Sequence, residues 1–160
     1  MVLKNFKFVL FLLSTLLVFT NCKKDCKLRS PSKEESQITG FASSNGITAI
    51  KHPSGLYYEI IDPGTGATPT VNSKISITYT GTFLNGSKFD EKLTPNNTAS
   101  DPAWPLNGLI EGWKTGIPLI KQGGRIKLIV PSSQAYGCED YYSIPGNSIL
   151  YFDISLVGVE

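Results

Sequence analysis

Two long stretches of this 160-residue chain alternate apolar and polar side chains, and a period of two is the repeat of a strand rather than a helix. In Lys74 to Phe83 (KISITYTGTF), Ile75, Ile77 and Tyr79 share one face and Ser76, Thr78 and Thr80 the other. In Ile149 to Val159 (ILYFDISLVGV), Leu150, Phe152, Ile154 and Leu156 share one face. A chain with such segments has to bury one face of a sheet and leave the other to water, which is the habit of antiparallel sheets. Shorter runs extend the pattern. Leu56 to Ile61 (LYYEII) is rich in aromatic and β-branched residues and stops at the turn signal Asp62-Pro63-Gly64. Arg125 to Val130 (RIKLIV) sets Ile126, Leu128 and Val130 on one side, and Asn85-Gly86 reads as a hairpin turn into Lys88-Phe89-Asp90. One short helix fits between the strands, from about Ile110 to Leu119, with Pro118 distorting its last turn because proline supplies no N–H. Strands with one brief helix describe an α+β domain. Thr94 to Asp101 (TPNNTASD) reads as an exposed loop.

The sequence before these strands has a different character. Lys4 and Lys7 precede an apolar run from Phe8 to Phe19, interrupted only by Ser14 and Thr15. As a helix that run rises about 18 Å, short of the roughly 30 Å hydrocarbon core, so residues 1–21 read as a secretory signal rather than a membrane span. Cys22 follows directly and resembles the lipid-accepting cysteine of a lipoprotein, with ordinary cleavage as the alternative. Residues 22–50 are polar, without sustained periodicity, and read as a flexible tether to a folded domain over residues 51–160. The expected location is the cell envelope, on a lipid anchor at the periplasmic side of the outer membrane or, failing lipidation, free in the periplasm.

Charge and reactive side chains exclude several classes of function. From Lys51 to Glu160 eight basic residues face ten acidic ones, so no basic face exists to displace counterions, and nucleic-acid binding is excluded. His52 is the sole histidine, and Cys22, Cys26 and Cys138 have no metal-ligand spacing, so neither a zinc site nor a cysteine–histidine pair is expected. No cofactor is expected. Whether Cys26 pairs with Cys138 is open at this level.

Seven fragments, in order, resemble the FKBP family of peptidyl-prolyl isomerases. They are Tyr79-Thr80-Gly81, Gly86-Ser87-Lys88-Phe89-Asp90, Pro105 to Trp113 (PLNGLIEGW), Gly123-Gly124-Arg125, Ala135-Tyr136-Gly137, Ile144-Pro145 and Leu150-Tyr151-Phe152-Asp153. The resemblance implies an antiparallel sheet of five or six strands wrapped around the short helix, with a pocket between them. It implies Trp113 as the pocket floor, with Tyr79, Phe89, Leu109, Ile110 and Phe152 as apolar walls. The Ile110 N–H and the Tyr136 hydroxyl would donate to substrate carbonyls, Asp90 would order the polar edge, and Ala135 and Ile144 would flank the site on the flap-like loop. Trp104 stands where the family often has phenylalanine and is expected to take over one wall. The flap Cys138 to Ser143 (CEDYYS) departs from relatives that carry a histidine there. Implied partners are proline-containing polypeptides and the family's macrolide inhibitors.

These residue types suit a reaction that breaks no bond. The barrier to prolyl rotation, about 20 kcal/mol, reflects the double-bond character of the amide C–N bond, and a dry aromatic cup disfavours the polar planar amide relative to the twisted one. The competing readings are a chaperone or binding module with little turnover and a structural part of an envelope complex. Taken singly, Trp113, Tyr79, Phe89 and Phe152 also serve as plain core residues.

Overall fold

The structure, a computed structural model, describes residues 26–160. The signal segment and Cys22 lie outside the described residues. Seven strands form one antiparallel sheet: β1 (Ile50–Lys51), β2 (Tyr57–Asp62), β3 (Lys74–Phe83), β4 (Lys88–Lys92), β5 (Trp104–Pro105), β6 (Arg125–Val130) and β7 (Leu150–Val159). Their order is β1-β2-β6-β7-β3-β4, and β5 pairs with the start of β3, along the same edge that β4 occupies further on. The five strands legible in the sequence are all present. The count rises to seven because β1 and β5 are two-residue strands, too short to carry any periodicity. The two long alternating segments, β3 and β7, are direct neighbours, from Ile75 opposite Val159 to Phe83 opposite Leu150.

The inward-facing set is the expected one. Ile75, Ile77, Ile126, Leu128, Val130, Leu150, Ile154 and Leu156 form a core with Trp113 and Ile117 of the short helical segment. That segment is a short helix, α2, over Glu111–Gly116, followed by a tighter turn at Ile117–Leu119 where Pro118 cannot continue the ladder. The helix presses closely on β6. An added Cβ at Gly112 would stand 2.5 Å from Val130 Cγ1, and one at Gly116 would stand 2.6 Å from Leu128 Cδ2. Glycines one turn apart are therefore what let the helix, and Trp113 with it, sit low on the sheet.

The outer face is less open than the alternation suggests, and the tether is not structureless. Helix α1 spans Pro31–Ser44 and covers the β2–β6–β7 end of that face. Proline in its first turn sets the entry, since an N–H there has no partner to lose. Ile38 and Ala42 pack with Ile47, Tyr57, Ile129 and Ile149 in a second core, and Phe41 meets the Tyr151 ring at 5.3 Å. The third inward position of α1 is Glu34, wholly buried, which accepts hydrogen bonds from the Ser132 N–H at 2.8 Å and the Ser132 hydroxyl at 2.6 Å. A carboxylate at the N-terminal end of the buried stripe Glu34, Ile38, Ala42 helps this helix read as polar linker. The rest of the outer face carries the pairs Arg125–Asp153 and Lys127–Glu59.

Two further loops are tied down. Cys26 and Cys138 form a disulfide across 112 positions of sequence, with Cα atoms 5.2 Å apart. The loop at Thr94 to Asp101 is not wholly exposed, because Asn96 is 0% exposed. Its side chain accepts from the Ile77 N–H and donates to the carbonyls of Ile75 and Pro102, acting as a plug beside β3. Among the described residues, no helix is long and apolar enough to cross a membrane.

Candidate active site

A cavity of about 230 Å³ opens between α2 and the concave face of the sheet, lined by Tyr79, Phe89, Asp90, Trp104, Gly108, Leu109, Ile110, Trp113, Tyr136, Tyr141 and Phe152. Its base is an edge-to-face aromatic cluster. Trp113 on α2 meets Tyr79 at 5.0 Å and Phe152 at 5.1 Å between ring centres, with planes near perpendicular in both pairs. Phe152 in turn meets Phe89 edge-on at 5.6 Å. Each ring thereby offers its positive edge to a neighbour's electron-rich face, which fixes the rings in place as well as burying them. Alternation along β3 and β7 delivers Tyr79 and Phe152 to the same side. The hairpin pairing of Gly81 with Asp90 brings Phe89 across from them. Gly81 makes room for it, since a Cβ there would lie 2.7 Å from Phe89 Cζ.

The polar edge is sparse and ordered. The Tyr79 hydroxyl donates to Asp90 Oδ2 at 2.5 Å, and the Glu91 N–H donates to Asp90 Oδ1 at 2.9 Å. Burial first, then the hydrogen bond to Asp90, pushes the Tyr79 phenol well above its ordinary pKa. Tyr136 is half-buried and stacks face to face on Tyr141, centroids 4.2 Å apart. Burial, followed by the nearby Tyr141 and Asp90 charges, raises its pKa, so the phenol keeps its proton and remains a donor. Ile110 is the residue before the first turn of α2. Its carbonyl accepts from the Trp113 and Lys114 N–H groups. Its own N–H belongs to the first stretch of a helix start, where backbone donors have no partner within the helix. Trp104, edge-on to Tyr79 at 6.4 Å between ring centres, forms another wall and carries Lys92 Nζ 5.4 Å above its ring, with Lys92 also paired to Asp101.

Nine of the eleven pocket residues expected from the sequence line this cavity, and two do not. Ile144 is buried in the core behind the flap. It exchanges both backbone hydrogen bonds with Tyr141, and the residue delivered to the cavity wall is Tyr141. Ala135 packs against the same core and supplies the bend that precedes Tyr136. Tyr141 and Gly108 are the lining residues the sequence reading left out. Gly108 lies within the PLNGLI fragment, but as a backbone contributor it has no side chain to flag it. Among the described residues no three His, Cys, Asp or Glu side chains group as a metal site.

Comparison with known proteins places this arrangement. The family model for the FKBP-type peptidyl-prolyl cis-trans isomerase matches residues 66–157, from the loop before β3 into β7, two residues short of its end. The chain is 35% identical over 133 residues to the FKBP-type peptidyl-prolyl cis-trans isomerase FkpA of Aeromonas hydrophila, covering 83% of this chain and 48% of that protein. It is 34% identical over 131 residues to the outer membrane protein MIP of Legionella longbeachae, covering 81% of this chain and 54% of that one. The crystal structure of FkpA from Escherichia coli superposes with a TM-score of 0.68 at 33% identity, over 82% of this chain and 59% of that chain. The chain thus spans about half the length of the curated relatives it matches. With the match running through β3, β4, β5 and β7, the strands that line the cavity, the chain belongs to the FKBP-type peptidyl-prolyl cis-trans isomerase family.

Proposed function

We propose that this protein catalyses cis/trans isomerisation of peptide bonds preceding proline in exported or envelope polypeptides, and so assists their folding. The observation that carries the reading is the aromatic cup itself, floored by an indole and edged by unshared donors, in a chain of this family. A proline ring seats on Trp113 between Tyr79, Phe89 and Phe152. The Ile110 N–H and Tyr136 hydroxyl hold the flanking carbonyls, and the Tyr79–Asp90 pair keeps the polar rim in one orientation. In the twisted state the amide loses conjugation and its charge separation falls, so a water-poor apolar wall favours it over the planar ground state. A ten-thousandfold acceleration needs only about 5.5 kcal/mol of such differential binding. No proton transfer or nucleophile is required, in keeping with a site whose titratable groups are phenols and one carboxylate.

The same reading includes an anchor. Residues 1–21 act as a lipoprotein signal, Cys22 carries the lipid, and the domain works at the periplasmic side of the outer membrane. The leader's sequence supports this, as does similarity to a relative that is itself an outer membrane protein. Macrolides of the kind that bind this family are expected to enter the same cup. Proline-limited refolding of a reporter protein tests the activity. Tyr136→Phe removes one donor and should lower kcat/KM about fivefold to tenfold, the effect of a single hydrogen bond of about 1–1.4 kcal/mol. Trp113→Leu should remove most of the remainder. A folded parent protein that suppresses aggregation but does not speed the proline-limited phase would favour the binding-module reading instead. For the anchor, Cys22→Ala should move the protein from the membrane to the soluble fraction.

A further inference from the structure

The flap that carries Tyr136 is gripped by residues that precede the stretch matched by the family model. Going along the chain, Ser132 is held by Glu34, the Gln134 side chain donates to the Ser54 carbonyl at 2.7 Å, and Cys138 is bonded to Cys26. Between these points Leu28 lies against Gly137, and Pro31 lies against Gly55 beside Gln134. The flap adds its own braces, with the Gly137 N–H donating to the Ser132 carbonyl at 2.9 Å and the Asn147 N–H to the Gly137 carbonyl at 2.7 Å. Tyr136 sits in the middle of this set, four residues after Ser132 and two before Cys138. Both outer grips come from one segment, residues 26–44, which lies before the stretch matched by the family model.

We infer that residues 26–44 form a clamp that sets the position of the Tyr136 flap, with Glu34 and the Cys26–Cys138 bridge as positioning groups for the isomerase site. This rests on the isomerase reading for its effect on turnover, but not for its effect on the flap. Three arguments support it. Glu34 is wholly buried, and a carboxylate is kept in such a place only where its hydrogen bonds repay desolvation; here both go to the one residue at which the flap begins. The bridge grips the same loop two residues past Tyr136, so the two constraints bracket Tyr136 rather than merely attaching α1 to the sheet. A donor must be held to within about half an ångström to serve a transition state, and a solvent-edge loop does not reach that without supports.

The test uses the full-length oxidised protein and three variants: Glu34→Ala, Glu34→Gln, and Cys26→Ser with Cys138→Ser. Amide hydrogen exchange at Gly137 and Asn147 reads the flap directly. Exchange there should quicken about tenfold or more in Glu34→Ala and in the double serine variant, with the β3 and β7 amides unchanged, and Glu34→Gln should recover part of the protection. Turnover is then read in a cycle with Tyr136→Phe. Loosening either grip should lower kcat/KM about fivefold when Tyr136 is present and by less than about twofold when it is already phenylalanine, since the donor being mispositioned is gone. Unchanged exchange at Gly137 and Asn147 overturns the clamp whatever the activity. Equal losses with and without Tyr136 overturn its action through that residue. A parent protein without turnover, showing the expected exchange pattern, overturns the isomerase reading and leaves the clamp standing.

Discussion

Gly81→Ala asks whether the aromatic cup is as tightly closed as its geometry implies. Gly81 lies within β3, paired with Phe152 on one side and Asp90 on the other, and its φ is not in the left-handed region. Alanine is therefore free to adopt the backbone there, and by restricting the unfolded chain it should favour folding by about 0.4–1 kcal/mol. The methyl group opposes this. It would stand 2.7 Å from Phe89 Cζ, 3.0 Å from Phe89 Cε2 and 3.1 Å from Phe152 Cε1. Phe152 is locked between Trp113, Tyr79 and Phe89, so the half-buried Phe89 has to give way. Overpacking of this kind costs about 1–3 kcal/mol. The balance is a net loss of about 1–2 kcal/mol, or a fall in Tm of about 3–8 °C for a domain of this size. Phe89 is also a wall of the cavity, so kcat/KM should drop severalfold under conditions where the variant is fully folded. Urea unfolding followed by tryptophan fluorescence gives the first quantity and proline-limited refolding the second. Adding Phe89→Leu to Gly81→Ala should restore stability without restoring activity. A Gly81→Ala protein as stable as the parent and equally active would refute the reasoning, because it would mean the rings retreat without cost.

Other perturbations probe the supports around the cup. Asn96→Ala strips the partners from the buried Ile77 N–H and Ile75 carbonyl, and should cost about 2–4 kcal/mol in urea unfolding, far more than an ordinary loop substitution. Ile38→Ala should cost about 2–4 kcal/mol if α1 is a docked layer, and under 1 kcal/mol if the helix stands free of the sheet. Breaking the half-exposed Arg125–Asp153 pair with Arg125→Ala should change stability by less than about 1 kcal/mol, and salt should shrink the difference further. Alkali gives a signed test. Burial raises the pKa of Tyr57, Tyr79, Tyr136 and Tyr151, the last to about 12, so the native fold prefers these phenols neutral. Stability should be fully present below the unfolded phenol value near 10 and fall as pH rises from there toward 12. Near-ultraviolet titration should show these phenolates appearing late, and ones that ionise near 10 in the folded protein would contradict the burial.

Much of the site was legible because strand alternation is a local code. Once Ile75, Ile77 and Tyr79 face inward, Phe152 on the neighbouring strand can only join them, and the ordered fragments did the rest. What escaped shares one property, a meaning supplied by a distant partner. Glu34 reads as linker polarity until Ser132, 98 positions away, gives it a purpose. Asn96 reads as a loop residue until β3 is beside it. Tyr141, which the sequence reading left without a role, lines the cavity in place of Ile144, to which a backbone bridge joins it. The strands β1 and β5 exist only as edges added to longer neighbours.

The placement of β7 has a consequence for how such a domain is made. Residues 150–159 come last among the strands, yet they lie between β6 and β3 and are hydrogen-bonded to both. A chain delivered end-first, from a ribosome or through a narrow export channel, holds two half-sheets with raw edges until that final segment arrives. Joining β6 to β3 waits on those last residues, a non-local pairing of the kind that slows folding.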